Sequence, residues 1–148
     1  MPSTYLSLHY HFVFSTKNRE PIIAPAWRPR LHQYLGGTIR AFDGFPDEVG
    51  GVADHVHLLV GLKATHCVSD FMRELKKRTS TWVRDEMKVP QFAWQEGYAA
   101  FTVSPTTRDD LRRYIRNQEQ RHSTQSFRDE LIELLERHGV QYDPRYLD

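Results

Sequence analysis

The chain is 148 residues long, with 39% hydrophobic and 26% charged residues, one cysteine and a formal net charge of +1. That length suits one compact domain with its own core; the lone Cys67 excludes an intrachain disulfide scaffold and a thiolate-rich zinc site, and it points to a reducing cytosol. A mean hydropathy of −0.63, no apolar run near the ~20 residues of a membrane helix and no basic leader before an apolar block set aside membrane and secretory readings, and the near-balanced charge confines any nucleic-acid surface to a local patch.

Residues 5–15 alternate, with Leu6, Leu8, Tyr10, Phe12 and Phe14 on one side of a predicted strand. Tyr5, Ser7, His9, His11 and Ser15 fall on the other side. Pro21 and Pro25 break the chain, and Leu31, Leu35, Thr38 and Phe42 then recur at helical spacing. Gly36 and Gly37 oppose that helix by ~1 kcal/mol each relative to Ala. Residues 44–53 and 55–62 predict two strands, and Val68, Phe71, Leu75 and Trp82 an amphipathic helix. Residues 91–104 predict a last strand, with Ala99, Phe101 and Val103 on one face. Thr107 and Asp110 have capping-box spacing, opening a helix that runs to about Arg121. Phe127, Leu131, Leu134 and Leu135 form the stripe of a final helix ended by Gly139. No repeat or low-complexity tract divides the chain. The order βαββαβ followed by two helices predicts an α+β fold, a ferredoxin-like sandwich with an antiparallel sheet and both crossover helices on one face. The opposite sheet face is expected to be open.

Asp54-His55-Val56-His57-Leu58-Leu59-Val60 carries the first chemical signal. Residues two apart on a strand share a face, so His55 and His57 project together while Val56, Leu58 and Val60 project toward the helices. Two neutral imidazoles side by side can hold one divalent metal. The same pair also suits a satisfied polar surface. His9 and His11 repeat the spacing on the first strand; His9 reads as surface decoration, and His11 as a support for the metal or a DNA contact.

The second signal is Tyr114-Ile115-Arg116-Asn117-Gln118. On a helix Tyr114 and Gln118 lie one turn apart on one face, while Leu111 and Ile115 dock the helix. A phenol is a covalent nucleophile once a metal or base offsets its ordinary pKa of about 10. Taken alone, Tyr114 also suits a helix surface with its hydroxyl at the core rim. Basic residues cluster on the second helix (Arg73, Lys76, Lys77, Arg78, Arg84) and around Tyr114 (Arg108, Arg112, Arg113, Arg116, Arg121), which suits a polyanionic substrate as well as a solvated face. Trp94, Tyr98 and Phe101 are either core or a stacking platform for single-stranded bases. Gly-rich phosphate loops and nucleophile elbows are missing, and His66-Cys67 reads as a chance neighbour pair.

In combination these stretches resemble the single-tyrosine HUH transposases, which comprise the IS200-like insertion-sequence enzymes and REP-associated tyrosine transposases. The resemblance runs from His9 to His122: Lys17-Asn18-Arg19 after the first strand, Asp54-His55-Val56-His57, the basic second helix, Trp94-Gln95-Glu96-Gly97-Tyr98, Phe101-Thr102-Val103-Ser104 and Tyr114-Ile115-Arg116-Asn117-Gln118. It implies one transposase domain over residues 1–148, with a core of about 5–122 and a C-terminal helix and tail of about 124–148 to which no chemistry is assigned. It further implies a nucleophile at Tyr114, a magnesium or manganese ion held by His55, His57 and Gln118, and DNA contacts from His11, Lys76, Lys77, Arg78, Arg113 and Arg116.

The expected activity is metal-dependent cleavage and rejoining of single-stranded DNA through a 5′-phosphotyrosine link, for excision and insertion of a mobile element. The expected partners are hairpin-ended single-stranded DNA and a second copy of the chain, with no membrane, in the cytoplasm near the nucleoid of a bacterium or archaeon. His-His-Gln is nitrogen-rich for magnesium, which prefers oxygen; manganese is better suited. Two alternatives stay open: a domesticated relative acting on host hairpin repeats, and a non-catalytic single-stranded nucleic-acid-binding module. The second would place exposed aromatics on the central strands, where this chain has histidines.

Overall fold

A computed structural model describes residues 3–147. Strand β1 (His9–Ser15) leads through a 3-10 turn to helix α1 (Arg28–Ala41), hairpin strands β2 (Phe45–Gly51) and β3 (His55–Gly61), helix α2 (Val68–Glu86) and strand β4 (Ala99–Thr102). Helices α3 (Arg108–Arg116), α4 (Gln118–Arg121) and α5 (Phe127–Arg137) complete the chain, with a last 3-10 turn at Pro144–Tyr146. The sheet order is β2-β3-β1-β4 and every pair is antiparallel. This is the predicted βαββαβ sandwich.

The pleat sorts the sheet into two unlike faces. Phe12, Phe14, Val56, Leu58 and Val60 point to one side, where Leu31, Leu35 and Ile39 of α1 and Met72, Leu75 and Val83 of α2 close the main core. Gly36 and Gly37 do not interrupt α1, because the buried stripe of Leu31, Leu35, Thr38 and Ile39 outweighs their propensity cost. The other face carries His11, Val13, Ser15, His55 and His57. It is not open. Helices α3 to α5 cover it, and Phe127, Leu131, Leu134 and Leu135 pack on Val13 and Phe101 as a second apolar cluster. The C-terminal helices were thus legible as helices, while their destination was not.

Four local expectations are corrected. The first strand begins at His9, since Tyr5 and Leu6 lie exposed outside the sheet. The last strand is four residues long; Trp94 makes only an isolated bridge to Thr16. Trp94 is instead wedged edge-on between Phe14 and Phe92, with its indole N–H donated to Thr79 Oγ1 at 2.9 Å. The capping box at Thr107 does not form: its hydroxyl donates back to the Ser104 carbonyl, and its side chain caps no helix N–H. The helix expected to run unbroken to Arg121 is divided at Asn117. The last helix ends as expected. Gly139, at φ 68°, donates to Glu136 O while Val140 donates to Leu135 O, the two bonds of a Schellman stop.

Candidate active site

The histidine face and its helical cover meet in a buried polar cluster. His55 and His57 project together from β3, as their spacing requires, and both are fully buried. From β1, opposite, His11 Nε2 lies 2.8 Å from His57 Nδ1, and the two rings stack with centroids 5.1 Å apart. His11 is 2% exposed and lines a cavity that Tyr114 also lines.

Helix α3 can lie this close to the sheet because Gly50 of β2 has no side chain. A Cβ there would stand 2.5 Å from the Ile115 carbonyl oxygen. Gly50 pairs with His57 across the β2–β3 ladder, so the backbone contact that docks α3 adjoins the histidine pair. The docked helix brings the Tyr114 ring to 5.6 Å from the His57 ring and 6.4 Å from His11. One turn on, Gln118 Oε1 lies 3.0 Å from His55 Nε2. The four residues expected to carry chemistry are therefore adjacent within a single chain.

At their centre stands a residue that sequence reasoning passed over. Glu130 of α5 is fully buried. Its Oε1 lies 3.1 Å from His57 Nε2, 2.9 Å from His122 Nε2 and 3.3 Å from His55 Nε2. Its Oε2 accepts from Gln118 Nε2 at 2.9 Å and from the Tyr114 hydroxyl. Arg121 completes the surroundings, with Nε 3.4 Å from Oε2 and its guanidinium 4.9 Å above the Tyr114 ring. A signal for Glu130 did exist in the sequence. It occupies the i+3 position from Phe127 and the i−4 position from Leu134, inside the apolar stripe of α5, where an uncompensated carboxylate would be costly.

Outer hydrogen bonds fix the rings. Asp54 Oδ1 lies 2.7 Å from His55 Nδ1, and the Gln125 carbonyl lies 2.6 Å from His122 Nδ1. In each case the Nδ1–H is the donor, so Nε2 is the atom presented to the cluster. Burial alone would lower the His55 pKa, but the hydrogen bonds to Asp54 and Glu130 outweigh it and raise it to about 9. His57 goes the other way, held by burial at about 4. Burial would raise Glu130, yet the hydrogen bonds from His122, His55 and His57 keep it far below the ordinary carboxylate range. Burial and the neighbouring Glu130 charge push the Tyr114 hydroxyl well above its ordinary value. Donor atoms of His55, His122 and Glu130 lie within 4.8 Å of one another, a grouping compact enough for one metal ion.

The expected DNA contacts divide into two sets. Lys77, Arg78, Arg113 and Arg116 are exposed. Arg116 pairs with Glu48 at 2.8 Å, Arg113 with Asp110, and Arg78 lies over the Phe42 ring. Lys76 is committed to the fold: its Nζ donates to the carbonyls of Gln95 at 2.6 Å and Gly97 at 2.7 Å and anchors the loop before β4. Arg73, Lys77 and Arg84 line a groove of about 320 Å³ beside Trp94 and Tyr98. Trp94 and Phe101 are core, leaving Tyr98 as the partly exposed aromatic of the three. His66 and Cys67 have separate partners, the Phe42 carbonyl and the Ser69 hydroxyl.

Comparison with known proteins points one way. The family described as "Transposase IS200 like" matches residues 4–118. The chain is 27% identical over 133 residues to the ISDra2 transposase TnpA of Deinococcus radiodurans, an alignment covering 75% of this chain and 84% of that protein. A solved Deinococcus radiodurans R1 structure, also described as a transposase, matches with a TM-score of 0.65 and 26% identity over 80% of this chain and 95% of that one. The structure of a REP-associated tyrosine transposase bound to a REP hairpin matches with a TM-score of 0.60 over 82% of this chain and 73% of that one; at 15% identity this likeness is one of fold.

Proposed function

We propose that this chain, which belongs to the IS200-like transposase family, cleaves and rejoins single-stranded DNA through a covalent bond between Tyr114 and a 5′ phosphate. The observation that carries this reading is the convergence of Tyr114, Gln118, His55 and His57 on one buried carboxylate. A phenol, a side-chain amide and two imidazoles share no structural need to meet on one carboxylate. They do share a use in phosphoryl transfer.

In the cleavage step the Tyr114 oxygen attacks phosphorus in line with the departing 3′ oxygen. The new O–P bond forms as the P–O3′ bond breaks, the phenolic proton moves along its hydrogen bond to Glu130, and the 3′ oxygen takes up a proton from solvent. In the rejoining step a 3′-OH attacks the same phosphorus and releases Tyr114, so the phosphodiester energy is kept and no ATP is needed. As the cluster stands, burial and the Glu130 charge hold the proton on Tyr114. His55, His57 and Gln118 would hold a magnesium or manganese ion, which would supply positive charge to offset this and to stabilise the scissile phosphate. Nε2 of His55 and Oε1 of Gln118, 3.0 Å apart, would be two of its donors.

Hairpin-ended DNA is the proposed form of the substrate, supported by the hairpin held by the REP-associated relative. The exposed cations Lys77, Arg78, Arg113 and Arg116 are its proposed phosphate contacts, and a homodimer is the proposed assembly, read by light scattering. The test of the chemistry is incubation with single-stranded DNA from the flanks of the gene, with and without manganese, followed by denaturing electrophoresis. A metal-dependent protein–DNA adduct in the wild type, absent in Tyr114→Phe, is the expected result. An adduct that survives the substitution moves the nucleophile elsewhere. Tight binding without an adduct, on DNA that other members of the family cleave, favours the binding-module reading.

A further inference from the structure

We propose that Glu130 and His122 are ligands of the divalent metal, so that the shell extends beyond His55, His57 and Gln118 to the C-terminal segment. The inference rests on the metal-dependent reading above. Both residues lie past residue 118, where the match to the family ends.

Four separations around Glu130 and His55 carry the argument. Glu130 Oε1 stands 2.9 Å from His122 Nε2, 3.1 Å from His57 Nε2 and 3.3 Å from His55 Nε2, while His55 Nε2 is 3.0 Å from Gln118 Oε1. Ligands at about 2.1 Å from one ion and at right angles are ~3.0 Å apart. Each of the four distances is that of neighbouring ligands around an octahedral ion. Each histidine is also supported from behind. Asp54 and the Gln125 carbonyl accept from Nδ1 of His55 and His122, and His11 Nε2 sits against Nδ1 of His57. That support leaves three Nε2 lone pairs and a carboxylate oxygen converging on one region, where without a cation they repel unless protons intervene.

The chemistry of the set agrees. Two imidazoles and an amide offer a hard cation one neutral oxygen, whereas a buried carboxylate adds charged oxygen. Glu130 has two oxygens with different neighbours. Oε1 faces the histidines, and Oε2 takes the Tyr114 hydroxyl and the Gln118 amide. One carboxylate would thus tie the ion to the nucleophile, and α5 to the catalytic face.

The test is titration of the full chain with Mn2+ by calorimetry, comparing the wild type, His55→Ala, Glu130→Gln and His122→Gln, each first shown by melting in EDTA to be folded. The expected result is Mn2+ affinity at least about tenfold weaker in Glu130→Gln and in His122→Gln. Unchanged affinity overturns the proposal, and so does tighter binding in Glu130→Gln, which would make the carboxylate a plug. Spin-echo spectroscopy of bound Mn2+ counts the imidazoles directly: His122→Gln is expected to show one coordinated imidazole nitrogen fewer than the wild type, and an unchanged count would overturn the His122 assignment. A wild type that binds no Mn2+, or whose binding survives His55→Ala, sinks the metal reading itself. Loss in His55→Ala with no change in the other two variants sinks only this inference.

Discussion

The two faces of one four-stranded sheet hold this protein together by different physics. Toward α1 and α2 the strands present Phe12, Phe14, Val56, Leu58 and Val60, and the contact is apolar apart from a few buried threonines such as Thr79, which takes the Trp94 indole N–H. Toward α3 and α5 the same strands present His11, His55 and His57, and the contact closes on Glu130. The first face gains stability in proportion to area removed from water and tolerates rearrangement. On the second, every partner is needed, since a buried polar group without its partner costs more than the pair gained. Alternating residues along β3 separate the two regimes, so the strand that anchors the core also presents the chemistry.

The comparison is broken most strongly from the apolar side. Phe12→Ala removes a fully buried ring that packs near Phe71 and Tyr10, and should cost about 3–5 kcal/mol in chemical denaturation. Adduct yield per folded molecule should be unchanged. A selective loss of adduct would mean that the faces are not separable.

The polar side should answer to pH instead. His55 is raised to about 9 and His57 lowered to about 4, against an ordinary value near 6.5. Between about 6.5 and 9 the folded state holds a proton on His55 that the unfolded state has lost, so stability falls as pH rises. Between about 6.5 and 4 the unfolded state binds the proton that folded His57 refuses, so stability falls as pH drops. Denaturation in EDTA should therefore show a maximum near pH 6.5, with on the order of 2–3 kcal/mol lost on either side. Glu130→Leu should flatten the alkaline limb. A limb that stays steep would assign it to another group.

What the sequence showed and hid follows from range. His55 with His57 and Tyr114 with Gln118 are local pairs, and the periods of strand and helix alone place each on one face. The alternation of β1 and β3 likewise disclosed which face would be apolar. That these pairs meet is a tertiary fact, suggested only by the family resemblance. Glu130 was hidden because its partners His55 and His57 lie 75 and 73 positions upstream, and a carboxylate in a helical stripe has no local meaning. The covering of the histidine face was missed for a related reason. Phe127, Leu131, Leu134 and Leu135 announce a buried helix without saying against what. Thr107 failed as a cap because its hydroxyl found the nearer Ser104 carbonyl.

A smaller change sharpens the comparison where the faces are coupled by backbone. Gly50→Ala would set a methyl 2.5 Å from the Ile115 carbonyl oxygen and 2.8 Å from its Cγ2, so α3 must move away from the sheet. Overpacking of this kind costs about 1–3 kcal/mol. The displaced helix also carries Tyr114, so adduct yield should fall by more than stability alone explains. Unchanged yield with a normal melt would show that α3 reaches the histidines without this close approach.

The smallest effect should come from the start of α5. Ser126 Oγ accepts from the Asp129 backbone N–H at 3.2 Å, directly before the apolar stripe that seats Glu130. Ser126→Ala removes that cap, at a cost of about 1 kcal/mol. The apolar contacts of Phe127 and Leu131 with Val13 and Phe101 remain, so the helix should stay docked and fray only at its first turn. Glu130 lies in that turn, bonded back to Ser126 through its backbone N–H at 3.1 Å. Hydrogen exchange should therefore quicken at Asp129 and Glu130 while Leu134 and Leu135 stay protected. Exchange that quickens along the whole of α5 would show that its hold on the sheet depends on the polar cluster rather than on the apolar stripe.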